Sequence, residues 1–367
     1  MILIKAKRDE LLAPLVAVSG IIERRHTLPI LSNVLIEKAG DTLSFLATDI
    51  EMQIVSRSAL EQPGEARGIT VGARKLVDIL RALPEDDVTL TTQDKRLQVK
   101  SGRSRFTLQT LPAEDFPRLA QPAGDISRFS LPQKALKKLL ALVQYAMAQQ
   151  DIRYYLNGLL LLVEEKQLKL VATDGHRLAF CSMQLETELP RQEVIVPRKT
   201  ILELSKLLAD SDEPVNIAIS ATQAAFSFGM IELVSKLIDG KFPDYTRVIP
   251  KDHKNTAGIE REVLRAALQR AAILSNEKFR GVRWVLADGV LKIVSSNAEQ
   301  EEANEELEVK YSGIPLDIGF NVTYLLDVLN NVAGGQIEVS FGDASSSALI
   351  QFESEKDFKY VVMPMRI

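Results

Sequence analysis

The chain has 367 residues, too many for one ordinary hydrophobic core, and the length points to two or three domains. Its composition is 46% hydrophobic and 26% charged, the balance of a water-soluble globular protein, and no apolar run reaches the eighteen residues of a membrane span. The net charge of −4 argues weakly against nucleic acid, the single Cys181 excludes an intramolecular disulfide and a multi-cysteine zinc site, and the charged start "MILIKAKRDE" is unlike a signal peptide, so the expected setting is the cytoplasm.

In chain order, "RDELLAPLVAVSGII" opens with a predicted amphipathic helix over 7–15, where Leu11, Leu12 and Leu15 share a face. "FLATDIEMQI" is an apolar run broken at Ala-Thr-Asp, with Asp49 at the break. A second helix is predicted over 74–83, within "VGARKLVDILRAL", and "RFTLQTL" alternates as a strand. The turn-rich "QPAGD" follows. The pattern then restarts. "PQKALKKLLALVQYAM" predicts a helix over 131–148, with Leu136, Leu139 and Leu140 on one face. "LVATDGHRLA" repeats Ala-Thr-Asp, placing Asp174 125 residues after Asp49. "VPRKTILELSKLL" repeats the second helix over 197–208, with Arg198 124 residues after Arg74. Phe242 repeats the Phe-Pro of Phe116 after 126 residues, and "FSFGMIELVSKL" reads as strand. Beyond "PKDHKNTAG" comes a third round: helices over 259–275 and 321–332, with Asn297 123 residues after Asp174. Three repeated units are therefore expected, at 1–124, 125–253 and 254–367. Each is an α+β module with two helices on one face of antiparallel strands.

Asp174-Gly175-His176-Arg177 is the most enzyme-like phrase in the chain, and the repeat argues against catalysis there. The first unit copies Thr-Asp without His or Arg, so the pair reads as a turn in which Asp accepts from backbone N–H groups. No phosphate loop, dinucleotide fingerprint or His-Glu-x-x-His motif accompanies it, and His26, His176 and His253 are too scattered to form a metal site by spacing. "SNEK" matches Ser-x-x-Lys without the companion motifs of that chemistry. No catalytic residue, metal or cofactor is expected. Unit two alone carries "DIRYYLNG" and Gly-His-Arg-Leu, and residues added to a repeated scaffold suggest a local binding site.

Charge is segregated. The six predicted helices sum to +7, leaving −11 for the rest of the chain. A basic helical surface suits sequence-independent phosphate contact, and no helix carries base-reading residues at a suitable spacing. "KRLQVKSGRSRF" is basic in unit one and "NAEQEEANEELE" acidic in unit three, a polarity suited to head-to-tail contact between two chains.

The stretches "TLPILSN", "SGRSRFTLQTLPAEDFP", "VATDGHRLA", "DGKFPDY", "AAILSNEKFRGVR" and "YVVMPMRI" together resemble the bacterial DNA sliding clamps, the beta subunits of the replicative DNA polymerase III, over essentially the whole chain. That resemblance implies three clamp domains per chain and a head-to-tail homodimer that closes as a ring around double-stranded DNA. It implies no catalysis and no membrane contact. Its implied partners are a clamp loader, the replicative polymerase, and other polymerases or repair proteins, all docking through short linear peptides. The implied peptide pocket comprises Leu156, Thr173, Gly175, His176, Arg177, Leu178, Pro243, Arg247, Val248, Asn321, Tyr324, Val361, Met363, Pro364, Met365 and Arg366, with Arg153 and Tyr155 at its edge. Ser345 stands where relatives often have valine, which lowers the apolar contribution expected there. DNA-facing positions are Arg25, Gln150, Tyr154 and Tyr155, beside Arg74, Lys137, Arg198 and Lys199 on the basic helices. The implied seam sets Lys75, Ile79, Leu83, Arg96, Arg103, Arg105 and Phe106 against Ile273, Leu274, Glu299, Glu301 and Glu302. The competing readings, a hydrolase using Asp174 and His176 or a monomeric interaction scaffold, are disfavoured by the repeat and by the basic and acidic ends respectively.

Overall fold

The computed structural model describes residues 2–23, 28–84 and 87–366, with Ile2, Leu3 and residues 60–65 described as backbone only. The first stretch of chain forms β1 (Ile2–Lys7), α1 (Arg8–Ser19), β2 (Asn33–Thr48), β3 (Met52–Gly72), α2 (Ala73–Ala82), β4 (Asp87–Gln93), β5 (Arg96–Ser101) and β6 (Ser104–Leu111). The same order recurs as β7 (Ser127–Pro132), α3 (Gln133–Val143), β8 (Gly158–Thr173), β9 (Arg177–Pro197), α4 (Arg198–Leu207), β10 (Pro214–Ile219), β11 (Gln223–Phe228) and β12 (Ile231–Lys236). It returns with one change as β13 (Asn255–Glu260), α5 (Arg261–Ala271), β14 (Gly281–Ala287), β15 (Val290–Ser296), β16 (Glu302–Glu308), β17 (Lys310–Tyr311), β18 (Leu316–Asn321), α6 (Val322–Asn331), β19 (Gln336–Phe341), β20 (Ala348–Phe352) and β21 (Glu355–Val362).

The change has a local cause. The long hairpin β2–β3 shifts register after Lys38, and β8–β9 shifts at the matching Val163, so each ladder bends where an extra residue escapes pairing. In the third copy Asp288 and Gly289, both at positive φ, turn the chain back at that point and split one long strand into β14 and β15.

By packing, the chain falls into two compact units. One takes Met1–Leu136 and Leu202–Leu237, the other Lys137–Ile201 and Ile238–Ile367. The first holds a ten-stranded antiparallel sheet, β1-β4-β5-β6-β3-β12-β11-β10-β7, with β2 paired to β3. The second holds a seven-stranded sheet, β17-β13-β19-β20-β21-β9-β8, and a four-stranded one, β16-β15-β14-β18. Strands alternate buried and exposed residues, as in β5 and β14, because one face of each packs inward. Trp284 is fully buried in the second unit, edge-on to Phe320 at 5.4 Å and Phe341 at 6.4 Å. Helix α1 packs on α2, and α5 on α6.

The helices predicted over 131–148 and 259–275 stop earlier. α3 ends at Val143 and α5 at Ala271, each followed by one tighter turn, Gln144–Ala146 and Ala272–Leu274. Side chains occupy the carbonyls that a longer helix would need. Arg177 donates to the Tyr145 carbonyl at 2.7 Å and Arg198 to that of Met147 at 3.2 Å. Ser295 takes the Ala271 carbonyl at 2.6 Å, and Ser275 that of Ala272 at 2.8 Å. No helix among the described residues is long and apolar enough to cross a membrane.

Candidate partner-binding site

The Thr-Asp pairs form the same turn twice, bond for bond. In the second unit Thr173 Oγ1 donates to the Arg177 carbonyl (2.6 Å) and accepts from Gly175 N–H (3.1 Å), while Asp174 Oδ1 accepts from the N–H groups of His176 and Arg177 at 2.9 and 3.1 Å. In the first, Thr48 Oγ1 donates to the Met52 carbonyl (2.8 Å) and accepts from Ile50 N–H (3.0 Å), while Asp49 Oδ1 accepts from Glu51 and Met52 at 3.0 and 2.7 Å. Asp174 is thus a turn acid, as its repetition suggested. The looser third copy has Asn297 Oδ1 accepting from Glu301 N–H at 2.9 Å.

The apex differs between copies. Ile50 holds φ 70 in one turn and Gly175 φ 88 in the other. At Gly175 a Cβ would lie 2.8 Å from Arg153 Nη1, so the missing side chain makes room for that guanidinium. Arg153 in turn donates twice to Asp151, at 3.0 and 2.8 Å, and once to the Asp174 carbonyl at 3.2 Å. The Arg153 hydrogen bonds hold the Asp151 pKa down to about 2. We expect Gly175→Ala to weaken peptide binding several-fold and to lower stability by roughly 1–2 kcal/mol, the cost of a left-handed non-glycine residue. Peptide titration and thermal melts check this, and an unchanged melt with unchanged affinity would refute the close approach.

Arg177 is half-buried at the inner side of the turn. Its side chain is 9% exposed and donates to Asp174 Oδ2 (3.1 Å), Asp327 Oδ2 (2.5 Å) and the Tyr145 carbonyl (2.7 Å). Its guanidinium carbon lies 4.4 Å from the Tyr324 ring centroid. Burial alone would lower its pKa, but Tyr360, Asp327 and Asp174 together raise it. Arg177 therefore ties the turn to α6 and sets the Tyr324 ring in place. Because Asp327 keeps a third of its side chain in solvent, removing one member costs less than the roughly 3–5 kcal/mol of a fully buried pair. Asp327, Tyr145 and Tyr360 had no motif to mark them, although Asp327 is the only charge on an otherwise uncharged α6.

The C-terminal tail closes the site. Val361 and Val362 pair with Leu178 and Arg177, then Met363 N–H donates to the His176 carbonyl at 2.9 Å and Met365 N–H to the Gly319 carbonyl at 2.9 Å. The His176 and Tyr324 rings stack at 6.5 Å, and Asn321 caps α6 by accepting from Thr323 and Tyr324 N–H. Beneath, Leu178 and Val361 belong to one core cluster with Phe242 and Leu349, against which Tyr155 packs. Leu156 and Thr173 are buried; Pro243, Arg247, Val248, Met363 and Arg366 are exposed; Pro364 and Met365 are half-buried. The structure thus brings together an apolar floor, a stacked His–Tyr wall and two methionines. Ser345 stands apart from these contacts, its N–H and hydroxyl both donating to Asp343 at 2.8 Å. Arg247 pairs with Asp244 at 3.0 Å.

Of the positions expected to face DNA, Arg25 lies outside the described residues. Tyr154 is 58% exposed, and Gln150 is exposed at positive φ. Arg74 donates to the Ile22 carbonyl at 3.0 Å. Arg198 is half-buried against Met147, and burial, with Arg177 nearby, lowers its pKa. Lys137 and Lys199 are half-buried on α3 and α4.

The residues expected at a seam lie on or beside two open sheet edges. Among the described residues, 104–109 of β6 pair only with β5, and β16 pairs only with β15. Arg103, Arg105 and Phe106 are exposed at the first edge and Arg96 on the neighbouring β5, with Lys75 exposed and Ile79 half-buried on α2. Glu299, Glu301 and Glu302 are exposed at the second. Ile273 is 76% exposed and Leu274 half-buried at the end of α5, which Arg270 joins to Glu305 of β16 at 2.6 Å. Leu83, just past the end of α2, is 3% exposed within its own unit.

Comparison with known proteins agrees in every part of the chain. Models of the DNA polymerase III beta subunit match its N-terminal domain at residues 2–120, its central domain at 130–244 and its C-terminal domain at 246–366. The beta sliding clamp of Pseudomonas putida is 50% identical over 363 residues, covering 98% of this chain and 99% of that protein. The beta sliding clamp of Escherichia coli K12 is 48% identical over 362 residues, with the same coverage. Among solved structures, the DNA polymerase sliding clamp of Pseudomonas aeruginosa with a ligand superposes with a TM-score of 0.95 at 48% identity, each chain covered in full. The clamp of that organism bound to griselimycin gives 0.94 at 49% identity over 99% of both chains.

Proposed function

The chain belongs to the DNA polymerase III beta subunit family, the sliding clamps, and on that premise we propose that two copies close head to tail into a ring that encircles duplex DNA and tethers its partners by peptide. The observation that carries this is the pair of open edges of opposite charge. An exposed edge strand invites pairing with another chain, and proteins normally guard against it. Here like edges repel, basic against basic and acidic against acidic, so only β6 of one copy against β16 of the other is favoured. Such a heterologous contact made twice closes the assembly.

Within each copy, the three units at 1–124, 125–253 and 254–367 follow the threefold element order. The six α-helices among the described residues carry the same +7 as the predicted ones, within a chain of net −4. Lys and Arg on phosphates hold DNA loosely and without reading sequence, which permits sliding. The protein then acts by topology rather than by chemistry. The tail and turn site serves the replicative polymerase, the clamp loader and repair proteins in the cytoplasm. Methionine suits such a shared site because its side chain adapts to different anchors.

Topology sets the test. Loaded on a nicked circular plasmid, the protein should stay bound through a salt wash and leave when the plasmid is linearised. Equal retention on linear and circular DNA would mark an ordinary DNA-binding protein and sink the ring.

A further inference from the structure

Two residues further along β9 from Leu178, on the same sheet face, Phe180 opens a second recess of about 530 Å³ in the second unit. Its floor is apolar. The rings of Phe180 and Tyr245 stack at 5.7 Å, with Ile249 and Leu349 beside them. Its rim is basic: Lys169 on β8, Lys359 on β21, and Lys251 on the segment between β12 and β13. Lys251 and Lys359 form no ion pair among the described residues, and Lys169 reaches Glu164 only at 3.7 Å. Several nearby acids are committed elsewhere. Arg191 takes Glu164 at 2.9 Å and Glu193 at 3.1 Å, and Arg247 takes Asp244 at 3.0 Å. Glu338, opposite Gln351 across the ladder, and Asp357, two residues before Lys359 on β21, share this sheet face, and Asp252 follows Lys251.

We propose that this recess is a docking site for an acidic segment flanking the anchor peptide of a partner, with one aromatic or aliphatic residue on the Phe180–Tyr245 floor and carboxylates on Lys251 and Lys359. The proposal rests on the pocket reading above and extends it. Two features single out this occupant. The floor is continuous with the pocket, since Leu349 belongs to the cluster that also holds Leu178 and Val361, and Phe180 and Tyr245 pack against that cluster. One peptide can therefore cover both. The lysines, in turn, need an anionic ligand narrow enough to lie in a short, open recess. A duplex backbone needs a long basic stripe, and this rim is a ring of three. Rim charges of this kind contribute modestly and are screened by salt, so their effect belongs to partner choice more than to bulk affinity.

The probe is a fluorescein-labelled hexapeptide with leucine and phenylalanine anchors, alone or extended at either end by Asp-Glu-Phe or by Asn-Gln-Phe. One acidic extension should tighten binding about five-fold at low salt, the size expected of exposed ion pairs, and the gain should shrink in 0.5 M salt. The neutral extension should give less. Lys251→Ala with Lys359→Ala should abolish the acidic gain and leave the bare hexapeptide unaffected. Equal affinity for acidic and neutral extensions overturns the proposal, as does loss of oligonucleotide binding in place of peptide binding in the double variant. If the bare hexapeptide fails to bind, the pocket reading falls. The recess is then judged by Asp-Glu-Phe peptide alone at millimolar concentration, whose binding must still vanish in the double variant.

Discussion

Replacing Ile273 and Leu274 by alanine is expected to turn a dimer into monomers that keep their fold and their peptide site. Ile273 is 76% exposed in the single chain and Leu274 half-buried, so the free chain loses little when they are trimmed. At a seam both side chains would be covered. Burial of a large aliphatic side chain is worth about 1.5–3 kcal/mol, and alanine forfeits most of it. Two side chains at each of two identical seams bring the loss per ring to roughly 6 kcal/mol, about four powers of ten in dissociation constant. The charges alone, Arg103 and Arg105 against Glu301 and Glu302, supply register more than strength. Sedimentation at micromolar concentration should find a mass near the 40.7 kDa of one chain for the variant and twice that for the parent. A variant that remains dimeric there refutes this seam. Circular dichroism guards against the trivial outcome of unfolding, and Phe106→Ala on the other edge should weaken the same contact.

How much of this was legible in the sequence depends on distance along the chain. The turns at Asp49 and Asp174 were legible because a turn is made by neighbours: Thr, Asp and the next three residues contain every bond. Repetition then carried the inference to larger scale, since β8 and β9 begin and end 125 residues after β2 and β3. The split of the third hairpin was also written locally, in Asp288-Gly289, a dipeptide suited to positive φ at both positions, but the repeat masked it by suggesting a third uninterrupted copy. Arg177 shows the limit. Nothing near it in sequence distinguishes a guanidinium that reaches outward from one that bonds Asp327, 150 residues away. Leu83 is a different case. Its spacing from Leu76 and Leu80 continues the apolar stripe of the helix predicted over 74–83, yet α2 ends at Ala82 and Leu83 follows it with extended backbone, packed into its own unit at 3% exposure.

Truncation after Val362 is expected to lower affinity for anchor peptides by at least 100-fold while leaving the dimer intact. The tail residues removed include Met363, 47% exposed, and the half-buried Pro364 and Met365, which stand beside the His176–Tyr324 stack and offer the adaptable apolar surface an anchor needs. A few well-packed contacts carry most of the energy of such an interface, about 2 kcal/mol or more each. Losing two of them, with the polar backbone beside them, accounts for the expected drop. The fold should survive, because β21 ends at Val362 and its ladder to β9 and β20 lies wholly before the cut. Among the described residues the cut removes two backbone bonds, from Met363 to His176 and from Met365 to Gly319. The seam residues are elsewhere in sequence and on other strands, so sedimentation should not change. Arg247, on the rim and already held by Asp244, provides the contrast: Arg247→Ala should cost less than about five-fold. Titration of the truncated protein with a leucine- and phenylalanine-bearing peptide decides the matter. Unchanged affinity would mean the site is misplaced. Should the truncated chain melt early, Met363→Ala with Met365→Ala keeps the backbone bonds and removes only the side chains, and that variant must lose affinity at an unchanged melting temperature.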